Sequence, residues 1–297
     1  MGGIGKTVSA AWLARDEDVR GQFSLVLWVT LGQQPDLSRL QRLIYLQATG
    51  KELKADVTPE QAKEIILRSL RGRTVLLILD DCWEEAHQQE LNLVDTSTSS
   101  KTLITTRIRS LGGASHVELG LPSEEQAIKL LLASAELSTS TPPAEAVEVV
   151  AICGRLPLAI DVAGKLLRDL CVNEGDWAGV PPLLKQELRC SADEKNSIEY
   201  RVISVSLQTI PLRDREGAQA VFRAFALVPE DTVVPIKVFA LLLSVITGQN
   251  ELVPELQLRK WLQVLVNRSI VLGTWERPQL HDVRRLLMRL ARRVLRS

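Results

Sequence analysis

The run Leu76-Leu77-Ile78-Leu79, closed by the paired carboxylates Asp80-Asp81, limits this chain more than any other stretch. With Thr74 and Val75 ahead of it, it reads as a strand buried on both faces, because continuous apolar runs of this length suit a sheet covered by helices on each side. Thr102-Leu103-Ile104-Thr105-Thr106 repeats the pattern, and Leu25-Val26-Leu27-Trp28-Val29 precedes both. Helical spacing lies between them, with Leu37, Leu40, Leu43 and Ile44 on one face, and Thr58-Pro59-Glu60-Gln61 opens a helix through a capping box. Strands alternating with helices predict an α/β fold with a parallel sheet. Ligands of such sheets bind at the carboxyl ends of the strands, where Asp80, Asp81 and Arg107 stand.

The start of the chain, MGGIGKTV, supplies chemistry for that edge. Gly5-Lys6-Thr7 reads as the end of a phosphate-binding loop, in which backbone N–H groups wrap phosphate oxygens and the lysine adds a compact charge. Gly2, Gly3, Ile4, Gly5, Lys6, Thr7 and Val8 are the candidate cradle, and Val8, Ala11, Trp12 and Val19 follow at near-helical spacing. The loop's opening glycine would fall just ahead of Met1, so the sheet is expected to lack its first strand and the chain to be the core of a longer protein. Asp80 and the Thr7 hydroxyl are the candidate Mg²⁺ ligands, and Asp81 the group that orients or deprotonates a water. Arg107, at the end of the next strand, can reach a γ-phosphate and register its presence.

Composition excludes several classes. With 36 basic and 36 acidic residues in 297, no global field draws the chain to nucleic acid or an anionic membrane. No apolar run reaches the length of a membrane span, and no secretory signal pattern is present. Cys82, Cys153, Cys171 and Cys190 form no C-x-x-C pair and read as reduced thiols of a cytoplasmic protein. His87, His116 and His281 are too scattered for a metal site.

Beyond Leu121 the strands give way to helices. Ser123-Glu124-Glu125-Gln126 opens one through a second capping box, and others run through 144–153 and 156–170. A looser, proline-containing stretch over 171–196 marks a boundary. Helices return from Ser197, and 269–272 with 279–281 form a short hairpin, which fits a winged-helix arrangement. The expected division is therefore 1–120, 121–196 and 197–297. The last segment carries Arg284, Arg285, Arg289, Arg292, Arg293 and Arg296 opposite Val283, Leu286, Leu287, Leu290 and Val294, a basic amphipathic helix read as a solvated or packed face.

The ordered motifs GGIGKT, LLILDDCW, TLITTR, CGRLPLA and QLHD resemble the NB-ARC module of plant disease-resistance receptors and of the apoptotic-protease activating factor, in the STAND class of P-loop NTPases. The segment 225–231 resembles part of that module's winged helix. The resemblance spans nearly the whole chain and implies a nucleotide-binding domain, a four-helix domain and a winged-helix domain. It implies ADP or ATP with Mg²⁺ on Lys6, Thr7 and Asp80, with Asp81 on the water and Arg107 on the γ-phosphate. It also implies that Pro157 packs on the adenine and that His281 touches the β-phosphate of ADP. Arg155 stands where the module usually has a second glycine, an exchange that fits if no special backbone freedom is needed there.

The function so implied is a switch of an immune or cell-death receptor, closed by ADP and opened by ATP, with slow hydrolysis as its reset and other domains or copies as partners. Two other readings stay open. One is a nucleotide-free adaptor or decoy on the same scaffold; the other is a STAND-class transcriptional regulator acting through its winged helix.

Overall fold

The structure is a computed structural model describing residues 3–54, 56–95, 97–137, 142–171, 174–189, 198–225, 227–228, 235–247, 253–274 and 277–280. The chain divides into two compact units, over Gly5–Leu119 and Gly120–Ser297, with Gly3 and Ile4 grouped with the second.

In the first unit α1 (Lys6–Leu13) and α2 (Glu17–Arg20) precede β1 (Leu25–Gly32). Then come α3 (Leu37–Thr49), α4 (Pro59–Leu70), β2 (Val75–Cys82), α5 (Glu85–Leu91) and β3 (Lys101–Thr106). The strands form a parallel sheet in the order β1-β2-β3, with Val29 beside Leu79 and Leu79 beside Ile104. Strand β2 lies in the middle, and its alternation sorts its side chains to two cores. Val75, Leu77 and Leu79 join Ile44, Ile66 and Leu70 from α3 and α4 on one face. Leu76 and Ile78 meet Ala10 of α1, with Val19 and Phe23, on the other. The sequence thus reads as an unbroken apolar run because both faces are covered.

Helix α1 differs from its sequence reading. Val8 and Trp12 are 71% and 65% exposed, whereas Ala10 is buried. The cause is the anchoring of Thr7 to the sheet: residues three and seven further on, Ala10 and Ala14, then fall on the inward face, and Val8 and Trp12 turn outward. The outer edge of β1 is covered by Gln47, whose amide accepts from Trp28 N–H at 2.9 Å and donates to Trp28 O at 2.8 Å. This side chain takes the place of a neighbouring strand.

The second unit is helical, with α6 (Glu124–Ser134), α7 (Ala144–Ile152), α8 (Pro157–Leu170), a 3₁₀ turn (Glu174–Gly179), α9 (Val180–Arg189) and α10 (Ile198–Gln208). It continues through α11 (Leu212–Phe225), α12 (Ile236–Thr247) and α13 (Glu255–Asn267) into the antiparallel hairpin β4 (Val271–Thr274) and β5 (Arg277–Leu280). One core runs from Ala127 in α6 to Val271 in β4. Both capping boxes form, at Thr58 with Gln61 and at Ser123 with Gln126. Within the stretch read as loose, Trp177, Val180 and Leu184 are buried in this core.

Between α7 and α8 the chain turns through Gly154 and Arg155, both left-handed, at φ 58° and 56°. The backbone conformation that glycine favours is therefore required at 155, and arginine bears its cost of about 1–2 kcal/mol. Pro157 then opens α8, where no N–H is needed. At the far end of α8 a polar network closes the bundle. Arg268, only 3% exposed, pairs with Asp169 at 3.0 Å and donates to Ser206 O and to Thr209 Oγ1. Its guanidinium thus sits on the carboxyl end of α10, where a cation is favoured. Among the described residues no helix is long and apolar enough to cross a membrane.

Candidate functional site

The carboxyl edge of β2 is built by a break in its own regularity. The register to β3 shifts between Leu79 and Cys82, and Asp81 there adopts φ 54°. A bulge of this kind re-aims a side chain at a strand end, so two consecutive carboxylates do not point to opposite faces of a flat strand. Asp81 N–H donates to Thr105 Oγ1 at 2.9 Å, and the Thr105 hydroxyl donates to Asp80 Oδ1 at 2.6 Å. The same Asp80 oxygen accepts from Thr7 Oγ1 at 2.9 Å, which ties the start of α1 to the sheet. Burial pushes the Asp80 carboxyl above its usual range, and the Asp81 charge adds to that. The Thr105 and Thr7 hydroxyls pull it back.

Opposite these acids stand two cations. Lys6 is held below the ordinary lysine range, first by burial and then by the Arg107 charge, with Asp81 and Asp80 acting in the other direction. Lysine and arginine held near each other with reduced access to water favour an anion between them. Arg107 also lies with its Cζ 4.6 Å from the centre of the Trp83 ring, and Trp83 Nε1 donates to Asp81 Oδ2 at 2.9 Å.

The loop before α1 has the backbone that phosphate requires. Gly3 and Gly5 are left-handed, at φ 68° and 98°. Gly5 caps α1 without a side-chain hydrogen bond, and among the described residues no atom beyond its own chain neighbours lies within 4 Å of where its Cβ would be. An N-terminus left uncapped by side chains, with open space before it, is a ready site for an anion.

The structure thus brings Lys6, Thr7, Asp80, Asp81 and Arg107 to one edge of the first unit, with Val8 exposed at the start of α1. Pro157 is the first residue of α8 in the second unit, where Leu158 N–H donates to Gly3 O at 3.3 Å. Gly2 and His281 lie outside the described residues. Two residues were not singled out from the sequence. Thr105 could have been found from its parallel register beside β2; Trp83 left no signal, because its reach to Asp81 depends on the bulge.

Comparison with known proteins bears on what the site is. The NB-ARC domain model matches residues 1–135. The match is consistent with an NB-ARC module over these residues. That match implies nucleotide binding of the P-loop NTPase kind. Curated proteins similar to the chain extend past the NB-ARC segment. A probable disease resistance protein of Arabidopsis thaliana is 28% identical over 244 residues, covering 80% of this chain and 28% of its own. Apoptotic protease-activating factor 1 of Mus musculus is 28% identical over 287 residues, covering 91% and 22%. The chain spans about a quarter of the length of these relatives. Among solved structures, a Walker-type ATPase of Pyrococcus abyssi overlaps loosely, at TM-score 0.32 and 13% identity over 90% of this chain and 84% of that one.

Proposed function

We propose that the chain is the nucleotide-operated switch of a signalling receptor of the immune or cell-death kind. What carries the reading is the convergence of Lys6 and Arg107 with Asp80 and Asp81 beside a glycine loop and an uncapped helix start. Lys6 and the N–H groups of the loop hold the α- and β-phosphates, and Arg107 registers the γ-phosphate. The donor set of Thr7 hydroxyl and Asp80 carboxylate suits a hard dication, Mg²⁺, whose chemistry is to neutralise phosphate charge. Asp81 takes a proton from the attacking water as the water oxygen bonds to the γ-phosphorus. The β–γ bridging bond breaks and its electrons leave with ADP, so the chain is at most a slow ATPase whose turnover resets the switch.

We assign the segments 121–196 and 197–297 to a four-helix domain and a winged-helix domain. The β4–β5 hairpin that follows α10 to α13 supports the second. His281, directly after β5, binds the β-phosphate of ADP and Pro157 packs on the adenine, so ADP favours a closed form. ATP, held by Arg107, favours an open form that associates with other domains or copies; a ligand shifts an equilibrium only through such unequal contacts. The free thiols of Cys82 and Cys153 fit a cytoplasmic setting. The test is tryptic digestion with ADP or with a non-hydrolysable ATP analogue. The reading expects distinct fragment patterns that His281→Ala makes alike; identical patterns in the parent chain would contradict it.

A further inference from the structure

The contact between Trp83 and two of the proposed functional groups has no part in the reading above. Trp83 follows the bulge at Asp81 and is half-buried. Its indole N–H donates to Asp81 Oδ2 at 2.9 Å, and its ring face carries the Arg107 guanidinium at 4.6 Å. One rigid side chain therefore touches both the carboxylate proposed to take the water proton and the cation proposed to meet the γ-phosphate. Asp81 has its N–H on Thr105 and one carboxylate oxygen on Trp83, which leaves Oδ1 as the oxygen for water. Arg107 directly follows β3, so the ring holds the guanidinium at the carboxyl edge of the sheet, where phosphate would bind.

We propose that Trp83 is a positioning residue that couples the water-activating Asp81 to the γ-phosphate sensor Arg107. This rests on the nucleotide-site reading and deepens it. The N–H fixes the carboxylate that sets the hydrolysis rate, and the ring face pre-places the guanidinium that distinguishes ATP from ADP. A γ-phosphate that draws Arg107 toward itself pulls on the indole, and through it on Asp81. ADP, which lacks that phosphate, leaves the pair as it stands. The indole is suited to both tasks, because it offers one donor and a cation-binding face on a single planar frame.

The two halves of the indole can be separated by substitution. Trp83→Phe keeps a ring face and loses the donor; Trp83→Leu loses both. In the full chain, dissociation constants for ADP and Mg-ATP and the single-turnover hydrolysis rate are measured for the parent, W83F, W83L and K6A. W83F is expected to hydrolyse about tenfold more slowly with both affinities within about twofold of the parent. W83L should show the same loss of rate and, in addition, a fall of several-fold in its preference for ATP over ADP. Retained ADP affinity in both variants shows that they fold. A W83F rate equal to the parent's, or an equal loss of ADP and ATP affinity in W83L, overturns the assignment. If the parent holds no more nucleotide than K6A, the nucleotide-site reading fails and takes this proposal with it.

Discussion

Arg155 and Cys153, neighbours across Gly154, show how far single residues depart from what their letters announce. At Arg155 the sequence permits any backbone, whereas the structure holds φ at 56°. In return, among the described residues, the Arg155 guanidinium donates to Pro122 O at 3.5 Å. Arg155→Gly is therefore expected to stabilise the chain by about 0.5–1 kcal/mol, as relief of the left-handed strain exceeds the added freedom of the unfolded chain. A shift of the urea midpoint to higher concentration checks it. Cys153 is buried, with its thiol directed at Ala159 O, and burial raises its pKa from the ordinary 9.0 to about 12. The folded chain thus keeps a proton that the unfolded chain releases. The associated stability is complete below about pH 9 and declines as the pH rises from there to about 12. Stability measured against pH should fall less steeply in Cys153→Ala than in the parent over that interval. At the site, Lys6 and Thr7 were legible from a loop motif of fixed spacing, and Asp80, Asp81 and Arg107 from their place at the ends of apolar strands. Trp83 and Thr105 were not, because their contacts arise from strand register and from a bulge whose φ no local sequence specifies.

Among elements, strands and capped helices were the most legible. The boxes at Thr58 and Ser123 start helices where a hydroxyl and a glutamine exchange bonds, a rule contained in four residues. What the sequence concealed was the face that α1 turns inward, since Val8 and Trp12 point outward whereas Leu40 and Ile44 of α3 pack as their spacing suggests. The close approach of α11 and α13 was also hidden: a methyl group on Gly217 would lie 2.0 Å from the Trp261 indole. Gly217→Ala should cost about 2–3 kcal/mol by overpacking, and Trp261→Leu in the same chain should return part of it. Additive losses in a double-mutant cycle would contradict the packing account. The hold of α8 and α10 on the end of α13 runs through Arg268, whose guanidinium is nearly inaccessible to water. Arg268→Met should destabilise by about 3 kcal/mol in urea, since it leaves Ser206 O and the Thr209 hydroxyl without that partner and half-frees Asp169. A loss below about 1 kcal/mol would show that the network is incidental.

For the molecule as a whole, the parallel sheet and the helical unit follow from apolar periodicity, and residues 1–135 match the NB-ARC domain model. The second unit is harder to read: in the looser stretch that marks a boundary in the sequence, Trp177, Val180 and Leu184 are buried. Widely spaced apolar anchors between prolines and charges carry too little periodicity to reveal a packed segment. The central claim is that the glycine loop and its converging charges bind nucleotide, and the most direct measurement is ADP affinity by calorimetry for the parent chain and Lys6→Ala. Loss of a charge-assisted phosphate contact of about 1.5–3 kcal/mol predicts at least a tenfold weaker Kd for Lys6→Ala. Equal affinities in the two chains, or no heat of binding in either, would contradict the account.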